Sequence, residues 1–121
     1  METALDAGIY IPHLCYHPDL PSDDACKLCV VEIEGISGYP TSCTAPASNG
    51  LRVKTQSANI NDLRQRAISE ILAAHPPDCS TCIKYLNCEL QALKQYFATD
   101  RLSINYQPKL LPVDASNPLF V

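Results

Sequence analysis

The sequence lacks the features of a secreted or membrane-spanning protein. Residues 1–10, METALDAGIY, contain neither the basic region nor the continuous apolar region of a secretory signal peptide. No window approaches the roughly 18 unbroken apolar residues that a membrane-spanning helix requires. We therefore expect a cytoplasmic protein without direct membrane insertion.

The sequence also lacks a basic cluster and a nucleophile pattern. Its 9 Lys and Arg residues are outnumbered by 13 Asp and Glu residues, and its densest basic position, Arg64 with Arg66, falls on a predicted helix of mixed charge. Nucleic acid is therefore not an expected partner. The Ser, His and Asp residues form no arrangement typical of a nucleophilic enzyme, so we expect no catalytic site in this chain.

Cysteine, by contrast, is abundant, with seven residues in a chain of 121. An odd number fits a closed disulfide framework poorly. In a reducing cytosol, metal-bound thiolates are the better interpretation. The cysteines form two groups: Cys15, Cys26, Cys29 and Cys43, then Cys79, Cys82 and Cys88. His75 precedes the second group and completes it to four, so that every cysteine belongs to a tetrad.

The spacing of the first tetrad favours an iron–sulfur cluster over zinc. Thiolates suit zinc, Cu(I) and iron–sulfur clusters alike. Structural zinc sites usually pair two short Cys-x-x-Cys motifs, whereas the spacing here, C-x10-C-x2-C-x13-C, contains only one. Three ligands on one irregular loop and a fourth from a later strand match the plan of plant-type ferredoxins, although the first gap here is longer. A structural zinc-binding scaffold remains the alternative, and a cluster-based redox sensor is a third hypothesis.

The first half of the chain predicts a small module of loops and short strands. Residues 2–8 predict the end of a helix, with Gly8 directly after its C-cap. Residues 9–26 are rich in proline and show no periodicity, which is typical of a loop. Two strands are predicted, at 28–35 and 51–56. Between them, residues 39–43 are expected to bring the chain back.

The second half of the chain predicts two helices. From Ser57 onward apolar residues recur at helical spacing, with Arg64 and Arg66 mostly off the apolar face. Two prolines after His75 must end this helix. The next helical pattern is expected to place four side chains in the core: Leu86, Leu90, Leu93 and Phe97. His13 and His17 flank Cys15 and are expected to be loop residues, not ligands.

Two parts of the sequence resemble a known family. The segments GIYIPHLCYHPDL (8–20), CKLCVVEIEG (26–35) and YPTSC (39–43) are similar to the 2Fe–2S region of the large iron–sulfur subunit of respiratory NADH dehydrogenase (complex I). The same region occurs in catalytic subunits of NAD-linked formate dehydrogenases and in iron-only hydrogenases. The segment ILAAHPPDCSTCIKYLNCELQ (71–91) resembles their next element, a 4Fe–4S cluster held by one histidine and three cysteines.

The resemblance covers roughly residues 2–100 and implies the ligands of both cofactors. One 2Fe–2S cluster is expected on Cys15, Cys26, Cys29 and Cys43. One 4Fe–4S cluster is expected on His75, Cys79, Cys82 and Cys88. Because an imidazole replaces one thiolate, the second centre should be easier to reduce than an all-cysteine one.

The resemblance also implies an α+β fold class and an organisation in three parts. These are a 2Fe–2S ferredoxin-like β-grasp domain at 1–56, a helical His/Cys3 domain at 57–99 and an extended arm at 100–121 that docks on a partner. In the family, a β-hairpin precedes the helix of residues 2–8, and we expect the β-grasp to lack that first hairpin here. Further clusters follow in the family beyond the position of Val121.

The function implied by the resemblance is a single-electron relay in a multisubunit oxidoreductase of the NADH dehydrogenase, formate dehydrogenase or hydrogenase type. The expected partners are other subunits of such a complex, carrying flavin, molybdopterin or a hydrogenase centre.

Overall fold

The structure, a computed structural model, describes residues 1–98 and 105–107. It is a small mixed α/β protein with a two-stranded sheet. Its elements in chain order are α1 (Glu2–Asp6), β1 (Glu32–Ile33), β2 (Val53–Lys54), α2 (Ala58–Ala74) and α3 (Glu89–Tyr96). None of the helices in these described residues is long and apolar enough to cross a membrane. The predicted arm at 100–121 lies outside the described residues except for 105–107.

Helix α1 ends at Ala7 through hydrogen bonds that glycine makes possible. The Gly8 N–H donates to the Leu5 carbonyl at 2.9 Å, and the Ile9 N–H donates to the Ala4 carbonyl at 2.8 Å. Gly8 has φ +73°, the left-handed conformation that this pair of bonds requires. The predicted helix end at Gly8 is confirmed.

The sheet is shorter than the sequence pattern indicates. Strands β1 and β2 are antiparallel, pairing Glu32 with Lys54 and Ile33 with Val53. Upstream, a single bridge joins Val30 to Thr41, which confirms that residues 39–43 return beside the first strand. Residues 28–31 are buried without alternation because they lie between two hydrophobic clusters.

Helix α2 begins and ends where local chemistry predicts. The Ser57 Oγ accepts a hydrogen bond from the Ile60 N–H at 3.2 Å and donates one to Glu32 Oε1 at 2.7 Å. The helix ends at His75, whose extended φ of −100° and ψ of 134° suit a residue that precedes proline.

Two sequence expectations about the helices are wrong. Arg64 does not lie off the apolar face of α2 but is buried, with 1 % of its surface exposed. Leu86 is not a core residue: α3 begins after Cys88, and the Leu86 side chain is 83 % exposed. The helical spacing of Leu86 is therefore coincidental, because its φ of +67° is incompatible with an α-helix.

Two hydrophobic clusters hold these elements together. The first joins the two halves of the chain, since Cys26 and Leu28 pack with Ile68 of α2 and with Leu90 and Leu93 of α3. The second lies within the first half and has four buried members: Ile11, Cys29, Val31 and Ile33. The segment from Cys26 to Ile33 therefore contributes to both clusters.

We predict that Ser57→Ala lowers the free energy of unfolding by about 1 kcal/mol, because the N-cap hydrogen bond to Ile60 is lost. Chemical denaturation of the full chain followed by circular dichroism measures this. Ser69→Ala is the matched control on the same helix. Its hydroxyl donates only to the Gln65 carbonyl one turn earlier, at 2.6 Å. This change should be neutral or slightly stabilising, and equal losses for both variants would contradict the capping role.

Candidate metal centres

The structure brings the first four cysteines together as two interacting pairs. The Cys15 thiol lies close enough to that of Cys26 to affect its pKa, and the same holds for Cys29 and Cys43. Cys43 also interacts electrostatically with Cys15, which connects the pairs. All seven cysteines lie in the described residues and are free thiols.

Backbone pairing explains why Cys43 lies near Cys29. The Ser42 N–H donates to the Cys29 carbonyl at 2.9 Å, and Val30 bridges Thr41. Cys43 directly follows Ser42 and is therefore brought back beside Cys29.

The loop before Cys29 is held in an unusual backbone conformation. Asp24 and Lys27, on either side of Cys26, have φ of +53° and +54°, in the left-handed region that side chains other than glycine rarely adopt. An ion pair of 2.6 Å joins their side chains. The Thr41 hydroxyl donates to Asp24 at 3.4 Å and connects this loop to the returning segment. Chiefly because of the bond from Lys27, the pKa of Asp24 is lowered.

Backbone N–H groups from two segments, residues 14–15 and Leu28, act on the sulfur of Cys26. Burial alone would raise the pKa of Cys26, but backbone N–H donors from Leu28, Cys15 and Leu14, with the Cys15 thiol, bring it below the usual value. Such donors stabilise thiolate and cluster sulfur. At Cys43 the pKa changes in the opposite direction. Burial, and to a lesser extent the neighbouring Cys29 thiol, raises it to about 11. Burial likewise raises the pKa of Cys15.

The second tetrad surrounds a cavity of about 280 Å³. Its four predicted ligands all line this cavity: His75, Cys79, Cys82 and Cys88. His75 is the C-cap of α2 and Cys88 the N-cap of α3, with the other two on the intervening loop. The structure therefore collects at one place all four residues that the sequence predicts.

The orientation of His75 leaves one ring nitrogen available. Its Nδ1 lies 2.9 Å from the Pro76 carbonyl oxygen. Because a carbonyl only accepts hydrogen bonds, Nδ1 carries the proton and Nε2 has the lone pair that can bind a metal. Neighbouring Pro76 thus fixes the tautomer as well as the direction of the chain.

Asp78 has a structural role in the second ligand loop. Its carboxylate accepts hydrogen bonds from the Ser80 N–H at 3.1 Å, the Ser80 hydroxyl at 2.6 Å and the Thr81 hydroxyl at 3.3 Å. The Ser80 hydroxyl is the first cause of a lowered pKa at Asp78. Farther along, the Lys84 N–H points at the Cys82 sulfur at 3.4 Å, an N–H donor like those at the first site.

Tyr106 is a lining residue that the sequence pattern misses. It falls in the predicted arm, yet it lines the second cavity. Its neighbour Gln107 donates a backbone hydrogen bond of 2.7 Å to Ala73 of α2. Lys84 and Tyr85 line the cavity too. No spacing rule in the sequence signals that Tyr106 lines the same cavity as the second ligand loop.

The four donors of the second tetrad line a cavity without converging on one point. Across residues 1–98 and 105–107, no three His, Cys, Asp or Glu side chains converge closely enough to hold a single metal ion. The donor types of both tetrads, thiolates and one imidazole, are those that iron–sulfur clusters use.

Comparison with known proteins shows two iron–sulfur regions in this chain. Residues 1–58 match the family described as "2Fe-2S iron-sulfur cluster binding domain". Residues 64–101 match the "NADH-ubiquinone oxidoreductase-G iron-sulfur binding region". The chain thus contains one region of each kind. The expectation of one 2Fe–2S and one 4Fe–4S cluster is confirmed, as is the resemblance to complex I.

Individual relatives are oxidoreductase subunits much longer than this chain. NADPH-Fe(3+) oxidoreductase subunit alpha of Geobacter sulfurreducens is 36% identical over 125 residues, covering 93% of this chain and 15% of that protein. The mitochondrial NADH-ubiquinone oxidoreductase 78 kDa subunit of Candida albicans is 36% identical over 101 residues, covering 84% of this chain and 14% of that protein. A crystal structure of NAD+-reducing [NiFe]-hydrogenase in the H2-reduced state matches with a TM-score of 0.81 and 36% identity, covering 97% of this chain and 49% of that one.

We predict that Leu86→Gly in the second ligand loop raises the free energy of unfolding by about 1 kcal/mol, since glycine adopts the positive φ found there without strain. Thermal unfolding of the iron–sulfur-loaded chain measures this. Ile83→Gly is the control, because Ile83 is 99 % exposed and is not among the residues with positive φ. It should destabilise slightly through added chain entropy. A loss of stability in both variants would show that φ at Leu86 is not strained.

Proposed function

We propose that this chain relays single electrons between cofactors of a larger oxidoreductase. The 2Fe–2S cluster is held by the first tetrad: Cys15, Cys26, Cys29 and Cys43. The 4Fe–4S cluster is held by the second: His75 through Nε2, with Cys79, Cys82 and Cys88. When bound, each cluster accepts and releases one electron, and the protein contributes position, hydrogen bonds and electrostatics.

The observation that carries this proposal is a hydrophobic cluster shared by the two sites. Cys26 of the first tetrad is one of its buried members, and Cys88 of the second packs against the same cluster. Apolar side chains of α2 and α3 fill the space between them, Ile68 and Leu93 among them. Two redox centres fixed to one packed core keep a constant separation, as a relay requires.

The surroundings of each tetrad support cluster binding in chemical terms. Backbone N–H groups point at the sulfurs of Cys26 and Cys82, and such donors stabilise the added charge of a reduced cluster. At the first site, burial of Cys26 and Cys29 keeps water from the sulfurs. At the second, the bond from His75 Nδ1 to the Pro76 carbonyl leaves Nε2 with the lone pair that the proposed ligand role needs.

The names of the relatives support a nicotinamide-linked complex as the setting. NADH-quinone and NADPH-Fe(3+) oxidoreductases and an NAD+-reducing hydrogenase all appear among them. We therefore place this chain beside subunits carrying flavin or a hydrogenase centre. A formate dehydrogenase complex is supported by the motif resemblance alone. Seven free thiols fit the cytoplasm. A β-grasp over residues 1–56 and an arm at 100–121 docking on a partner remain part of the proposal.

The ligand assignment predicts separable losses. The full chain, reconstituted anaerobically with iron and sulfide, should contain about six irons and six sulfides from its two clusters. Cys26→Ala should abolish the 2Fe–2S electron paramagnetic resonance (EPR) signal of the reduced protein and retain the 4Fe–4S signal. Cys82→Ala should do the reverse, because each sulfur belongs to only one tetrad.

His17→Ala is the control for this experiment, since His17 lies two residues from Cys15 but is exposed and bonded only within its loop. It should keep both signals. A colourless chain that binds two zinc ions in place of iron and sulfide would refute the relay and support a zinc scaffold.

His75 offers a second test of the same assignment. We predict that His75→Cys retains a 4Fe–4S centre but lowers its midpoint potential, because a thiolate adds the negative charge that a neutral imidazole lacks. Potentiometric titration followed by EPR measures the shift. The potential of the 2Fe–2S centre should stay unchanged and serves as the internal reference. If His75→Ala left the spectrum and the potential of the 4Fe–4S centre as they were, His75 would not be a ligand.

A further inference from the structure

Arg64 is a buried cation with few hydrogen-bond partners. It projects from α2 with 1 % of its surface exposed. One terminal nitrogen donates to the Val30 carbonyl at 2.9 Å. Its Nε has no hydrogen-bond partner among the residues that the structure describes. A buried guanidinium N–H normally finds an acceptor, so the Nε donor of this cation is left unsatisfied.

The carbonyl that Arg64 contacts belongs to the residue directly after Cys29. Burial lowers the pKa of Arg64, and electrostatic interactions with Tyr96, Cys29 and Tyr10 oppose that change. The two tyrosines pack edge to face at 5.6 Å. Of these three neighbours only Cys29 is a proposed cluster ligand, and a cysteine binds metal as a thiolate.

A buried guanidinium without an anion is costly. Moving an isolated charge out of water is unfavourable unless a countercharge and hydrogen bonds compensate. The fold keeps Arg64 buried, and the proposed cluster on Cys29 and its three companions would place negative charge beside it.

We propose that Arg64 is the countercharge of the 2Fe–2S cluster and acts through Cys29 to raise its reduction potential. This inference rests on the ligand assignment made above. Arg64 is a positioning residue that touches neither iron nor sulfide. Reduction adds one negative charge, and a fixed positive charge in a medium of low dielectric constant stabilises the reduced form more than the oxidised form.

The effect should be much weaker at the second site. Arg64 and His75 are eleven residues apart along α2, which corresponds to roughly 16 Å at the helical rise per residue. The second site is also more open, so water screens the charge more effectively there. One cation can therefore change the potential of one centre almost selectively.

The test is a potentiometric titration of the reconstituted full chain, with the two centres followed by their separate EPR signals. Arg64→Met removes the charge while keeping an unbranched apolar stem, and it should lower the 2Fe–2S potential with little change at the 4Fe–4S centre. Arg64→Lys keeps the charge and should remain close to the wild-type potential. Arg66→Gln removes the same charge from an exposed position on the same helix and should shift neither centre.

The outcomes separate this inference from the function on which it rests. A wild-type chain that assembles no 2Fe–2S centre refutes the proposed function. Two intact centres with an unchanged 2Fe–2S potential in Arg64→Met, or an equal shift in Arg66→Gln, overturn the role of Arg64. If the 2Fe–2S centre fails to assemble in Arg64→Met, the Arg64→Lys variant distinguishes a role of the charge from a role of the guanidinium bond. Recovery of the centre at the wild-type potential supports the countercharge, and failure to recover it shows that the guanidinium bond to Val30, not the charge, is what matters.

Discussion

Burial of the segment from Cys26 to Ile33 is the interaction on which the rest of the structure depends. The described sheet has only two residue pairs, so its hydrogen bonds alone cannot fix this segment. Leu28 instead packs against α2 and α3, while Cys29, Val31 and Ile33 pack into the cluster of the first half. Burying one such aliphatic side chain contributes about 1.5–3 kcal/mol. Two proposed ligands, Cys26 and Cys29, are thus held by packing on opposite sides.

The same packing makes two sites into one unit. Cys26 and Cys88 belong to or contact one cluster, so movement of α3 relative to the first half would open that core. Arg64 strengthens the connection, because it reaches from α2 to the Val30 carbonyl. Tyr10 and Tyr96 add an aromatic contact between the first loop and α3. Separation of the proposed clusters is therefore set by contacts that are also needed for folding.

Local signals in the sequence predicted what depends on local chemistry. Helix α2 begins after Ser57 and ends before the two prolines that follow His75, and α1 ends just before Gly8. Each of these residues acts within a few positions of itself. Cysteine spacing predicted both tetrads before any geometry was known. Tertiary contacts were not predictable in this way: Arg64 looks like any solvated arginine on a helix, and only the distant Val30 carbonyl makes its burial possible. Leu86 fits a helical period, yet the ligand loop gives it a left-handed backbone.

The two sites differ in how the protein can control the redox centre it is proposed to hold. At the first, Cys26 and Cys29 are buried although Cys15 is exposed, N–H donors act on the Cys26 sulfur, and Arg64 bonds to the Val30 carbonyl directly after Cys29. At the second, His75 is exposed and the three cysteines are only partly buried. Fixed charges and dipoles act strongly in a dry site and weakly in a wet one. In the open site the identity of the ligand remains effective, because replacing a thiolate by an imidazole changes the charge at the metal itself. Burial and a countercharge at one centre, and a histidine at the other, are then two solutions to the same electrostatic requirement.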